Sequence, residues 1–104
     1  MEEQSYERRR HTRHEVFFAA MVTPNGDQHD VQILDLSLGG ARMTLPSHWS
    51  HSDGTALKVL FEFGAGEDVV LMGRVTRTAI DHLGLEFAPG QEAYIRQVLE
   101  ILCR

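Results

Sequence analysis

Four arginines fall within six positions near the start of the sequence, in Arg8-Arg9-Arg10-His11-Thr12-Arg13, and the segment holds no lysine. A guanidinium is a planar fork that donates two parallel hydrogen bonds to a phosphate or to the O6 and N7 edge of a guanine. It also stacks on a base face, which an ammonium does poorly. A second stretch, Asp35-Leu36-Ser37-Leu38-Gly39-Gly40, combines an anionic acceptor, a hydroxyl and two glycines. The carboxylate suits the adjacent N–H donors of a base edge, which a site for phosphate alone does not require. Ser37 can offer its hydroxyl to a ligand or to its own turn. Gly40 permits either a positive φ or a close backbone approach where a Cβ would clash. Each stretch alone is ordinary, since arginine runs are common on solvated surfaces and Asp, Ser and Gly are common turn residues.

The rest of the composition narrows the partner. A net charge of −5 argues against a general DNA or RNA binder, which draws its affinity from a broad positive surface. A local cationic cluster on an acidic chain points instead to one small anion. Apolar residues make up 42% of the chain but come in short runs, so no segment reaches the roughly twenty residues of a membrane span. The N-terminus lacks the apolar core of a secretory signal, and we expect a cytoplasmic protein without membrane insertion. The single cysteine, Cys103, excludes an internal disulfide and reads as a passive residue of a terminal helix.

The elements that must position these groups emerge from the hydrophobic pattern. Residues 1 to 13 lack apolar periodicity and read as a mobile polar arm carrying the arginines. Val16, Phe18, Ala20 and Val22 then alternate into the Pro24-Asn25-Gly26-Asp27 turn, predicting a strand and hairpin. Val31 and Ile33 resume the alternation, the Asp35–Gly40 stretch interrupts it, and Ala41, Met43 and Leu45 restart it. Residues 46–55 read as a loop with Trp49 as its apolar anchor. Leu57, Val59, Phe61 and Phe63 predict a fourth strand, Val69, Leu71, Gly73 and Val75 a fifth, and Leu83, Leu85 and Phe87 a sixth. Ile95, Val98, Leu99 and Leu102 repeat at helical spacing after Pro89-Gly90. The expected fold is mainly β: a six-stranded antiparallel barrel whose mouth or flank is covered by a C-terminal α-helix.

With that order of elements, the two stretches become specific together. An RxxxR pattern (Arg9 to Arg13) just before the first strand, and DxSxxG (Asp35, Ser37, Gly40) between the second and third, resemble the PilZ domain family. Gly73-Arg74-Val75 and Leu83-Gly84-Leu85-Glu86-Phe87 are similar to the family's later strands, so the resemblance covers roughly residues 8 to 103. It implies a PilZ-type barrel over residues 8–104 as the single domain, with 1–7 a flexible arm. It also implies a non-enzymatic receptor for cyclic di-GMP, with no cofactor. The implied contacts are Arg8, Arg9 and Arg13 on phosphate and guanine, Asp35 on the guanine N1 and N2 donors, and Ser37, Gly39 and Gly40 as the wall. Arg10, Arg42 and Arg74 are possible additional ones. By strand parity Arg42 and Arg74 point away from the apolar face, whereas Arg77 shares parity with Val75. In PilZ-like domains an arginine at the position of Arg8 is associated with two intercalated ligand molecules per chain. Output would pass to a separate protein effector, in motility, attachment or exopolysaccharide control. The alternative is a degenerate PilZ-like interaction module in which the arginine arm meets an acidic partner and no nucleotide binds.

Two other chemistries are weaker. His11 with His14, and His48 with His51, form HxxH pairs without a third ligand at supporting spacing, so no metal site is expected. Ser37 has no histidine in a pattern resembling a nucleophile's base, and no hydrolase is expected.

Overall fold

A computed structural model describes residues 17–64 and 66–102. Within them six strands and one helix succeed one another: β1 (Phe17–Val22), β2 (Gln28–Leu36), β3 (Gly40–Thr44), β4 (Ala56–Phe61), β5 (Val69–Thr78), β6 (His82–Phe87) and α1 (Glu92–Leu102). All pairings are antiparallel, and the sheet closes on itself in the order β1-β2-β3-β6-β5-β4. The closing seam, β1 against β4, registers Ala20 with Leu60, Met21 with Val59 and Val22 with Lys58.

Alternation fills the interior as the sequence requires: Leu57, Val59 and Phe61 from β4, Val69, Leu71 and Val75 from β5, and Leu83, Leu85 and Phe87 from β6 are buried. From α1, Ile95, Val98 and Leu102 join that core, while Leu99 packs against it half-buried. The hairpin between β1 and β2 turns at Gly26, whose φ of 90° suits glycine, and Thr23 N donates to Asp27 O across it. Trp49 packs against the core from its loop, with the His51 ring 4.8 Å away.

β1 differs from its sequence reading. The inward residues are Ala19 and Met21, paired with Val31 and His29 of β2, whereas Phe18 is exposed. The segment Phe17–Val22 is apolar on both faces, so its own alternation cannot choose a face; the register against β2 and β4 does. Ala20 is buried on the outer side, beside Leu60 and Phe18.

Two irregularities decide which charges reach the outer wall. Between Ile33 and Asp35 of β2, and between Val75 and Arg77 of β5, the register shifts by one residue. Each is a one-residue bulge that reverses the facing of the residues beyond it.

Candidate ligand site

Asp35 shares sequence parity with Val31 and Ile33, and Arg77 with Val75, so in regular strands both charges would point into the core. The bulges prevent this. Leu34 and Thr76 are the extra residues. Beyond them Asp35 pairs with Arg42 of β3, and Arg77 pairs with Gly84 of β6. Arg42 in turn pairs with Gly84. The four strands β2, β3, β6 and β5 therefore carry one lateral row on the outer wall, in the order Asp35, Arg42, Gly84, Arg77. Both guanidinium side chains flank a residue with no side chain, and a depression of about 290 Å³ lies there. Ser37, Gly40, Ala41, Thr76, His82 and Leu85 complete its lining.

The turn between β2 and β3 is fixed by its own hydrogen bonds. Ser37 N donates to Gly40 O at 2.9 Å and the Ser37 hydroxyl to the same oxygen at 3.3 Å, while Phe87 N donates to Gly39 O at 2.9 Å. Gly40 does not adopt a positive φ; its role is close approach. A Cβ there would stand 2.2 Å from the Leu85 carbonyl oxygen, an unyielding backbone atom. At Gly84 a Cβ would meet Thr76 Oγ1 at 3.0 Å and fill the floor of the depression.

Electrostatically the site is a mixed row. Arg42 and Asp35 form an ion pair at 3.6 Å, with side chains 53% and 45% exposed. Such a pair contributes no more than about 1 kcal/mol. It can therefore exchange for a ligand that offers Asp35 paired donors and Arg42 an anion. Arg77 has no ion pair among the described residues. His82 Nδ1 lies 2.9 Å from Asp81 Oδ1, and that hydrogen bond holds the fully exposed Asp81 carboxyl below the usual carboxylate range.

Not every expected residue converges here. Asp35, Ser37, Gly40 and Arg42 do. Gly39 sits in the turn with its carbonyl committed to Phe87. Arg74 lies a row away, opposite Glu86, and borders a different groove of about 520 Å³ on the far side of β5, floored by Val22, Ala56 and Met72. That groove is larger, but no carboxylate lines it, so it offers nothing to a guanine edge. Arg8, Arg9, Arg10 and Arg13, the arm 1–7, the His11–His14 pair and Cys103 lie outside the described residues. Among the described residues no cluster of three or more His, Cys, Asp or Glu is arranged for a metal. Sequence reading missed Arg77, Thr76, His82 and Gly84 as lining. A charged residue on core parity near a strand end was the available signal of a bulge.

The sequence matches the PilZ domain family over residues 7–103, nearly its whole length and including the arginine cluster. The chain belongs to the PilZ family. PilZ domains are binding and adaptor modules of cyclic di-GMP signalling rather than enzymes, and a receptor role in general is the consequence. The PilZ fold is evident in structure as well. The barrel is similar to the crystal structure of the PilZ domain of CeSA from a cellulose synthesizing bacterium, at a TM-score of 0.68 and 17% identity. That match covers 85% of this chain and 90% of that one. No curated protein matches the sequence. No helix of this PilZ domain, among the described residues, is long and apolar enough to cross a membrane.

Proposed function

We propose that this PilZ domain is a receptor for cyclic di-GMP, which it holds in the depression across β2, β3, β6 and β5. The observation that carries the reading is the lateral row Asp35, Arg42, Gly84, Arg77 beside the Ser37–Gly40 turn. A carboxylate for the guanine N1 and N2 donors and two guanidinium groups for phosphate or a base face stand around a floor that admits a flat ring. Arg8, Arg9 and Arg13 close over the ligand from the arm. The altered arm and the adjoining wall then form the surface that a separate protein effector reads, in motility, attachment or exopolysaccharide control.

The reading extends to stoichiometry. A stacked pair of ligand molecules brings about four phosphate charges together, whose repulsion needs additional cations close by. Arg8, with Arg42 and Arg77 on the wall, supplies them, and two intercalated molecules per chain are expected.

Calorimetric titration with cyclic di-GMP at physiological salt tests the reading. Saturable binding at micromolar ligand is the expected outcome. Absence of any heat or chemical-shift change at tens of micromolar would overturn it in favour of an interaction module in which the arginines meet an acidic protein.

A further inference from the structure

The outer wall formed by β1, β4 and β5 is apolar where a solvated barrel wall is expected to be polar. Phe18, Val70 and Met72 are 67%, 51% and 48% exposed, with Leu60 half-buried among them. The register puts these residues on a grid. Ala20, Leu60 and Val70 form one row across the three strands, and Val22, Lys58 and Met72 form the next. On the other side of the Leu60 row, Glu62 borders Phe18. Lys58 and Glu62 thus flank Leu60 along the strand direction, one on each side. Neither has an ion-pair or hydrogen-bond partner among the described residues.

We propose that this wall is a two-fold self-association surface, occupied by a second copy of the chain. An apolar centre with opposite charges on either side of it is complementary to itself under a 180° rotation, the symmetry of an isologous dimer. With the axis lying in the interface along the Ala20, Leu60, Val70 row, Lys58 of one copy faces Glu62 of the other, twice. The same rotation sets Ala20, Leu60 and Val70 each against its own counterpart and Phe18 against Val22. The apolar row at the centre meets its own copy, and Lys58 and Glu62 are matched across it. A foreign partner would have to present this same inverted pattern. Strands about 4.8 Å apart and outward positions about 7 Å apart give a footprint of a few hundred Å². That is below the roughly 800 Å² per partner of a standard stable interface, so the association is weak and reversible. The ligand depression faces another side of the barrel, across β3 and β6, and stays open in the dimer.

Sedimentation of the full chain over a concentration series reaching hundreds of micromolar tests the proposal. A concentration-dependent monomer–dimer equilibrium is expected. K58E alone and E62K alone each set like charges together and raise the dissociation constant about tenfold or more. The double swap K58E/E62K restores it, because both symmetric pairs re-form with reversed sign. Leu60→Arg gives a monomer, and the charge-swap series stays informative even if that variant folds poorly. A chain that stays monomeric throughout overturns the proposal and leaves the wall to another protein or to residues 1–16. A dimer indifferent to the single swaps, or not rescued by the double, overturns it as well.

Discussion

Asp35 and Arg42 are paired with one another, and the ligand contacts proposed for them have different physical characters. A carboxylate bonded to a base edge neutralises no phosphate, whereas an arginine does. Asp35→Ala is expected to weaken cyclic di-GMP binding while leaving its salt dependence nearly unchanged. Arg9→Ala and Arg77→Ala are expected to flatten that dependence, each with an affinity loss of about 1.5–3 kcal/mol, roughly tenfold to over a hundredfold. Titrations at several ionic strengths read both quantities, and equal slopes for all variants would refute the division. Arg8→Leu addresses number rather than strength: calorimetric stoichiometry is expected to fall from two ligands toward one with the fold preserved. Beside the site, the Asp81 carboxyl is depressed first of all by its hydrogen bond from His82. A depressed carboxyl stabilises the fold above its ordinary range and loses that contribution as pH falls through the lowered value. His82→Phe is therefore expected to return Asp81 to the ordinary range, as tracked by the carboxyl carbon shift on acid titration.

At the level of elements, the site depends on how closely β3, β6 and β5 approach one another. Gly40 and Gly73 stand on either side of β6, where an added Cβ would come within 2.2 Å of Leu85 O and 2.4 Å of Glu86 O. Gly40→Ala and Gly73→Ala are expected to destabilise the barrel by about 1–3 kcal/mol or more, lowering the denaturation midpoint with the slope unchanged. Gly40 therefore belongs to the family motif through strand packing before any ligand contact. Five of the six strands and the helix were legible in the sequence, because each buries one face, in β2 and β5 as far as the bulge. The facing of β1 was not, since Phe17–Val22 is apolar at every position and only pairing decides. Asp35, Ser37 and Gly40 were legible as a turn between strands, whereas Arg77 was hidden by parity with Val75. The bulge at Thr76, which turns Arg77 outward, is a property of pairing with β6 and leaves no period in the sequence.

For the whole molecule, core and candidate site share Ala41 and Leu85 and are otherwise built from different described residues. Ile95, 2% exposed, joins the core from α1, a cluster that contains none of Asp35, Arg42, Gly84 and Arg77. Ile95→Ala is expected to cost about 2–5 kcal/mol of stability, read by denaturant titration, with ligand affinity retained in the folded fraction. The seam that closes the ring has a different bearing, on how the protein ages in solution. While β1 and β4 stay zipped, the ladder presents no free edge for a neighbouring chain to extend. The described seam rests on three registered pairs, against six between β1 and β2 or between β4 and β5. If it parts first on warming, two apolar strand edges appear while most of the sheet is intact, and irreversible clumping precedes unfolding. Light scattering would then rise ahead of the loss of far-ultraviolet signal, and shelf life would be set by one short zipper rather than by the strength of the core.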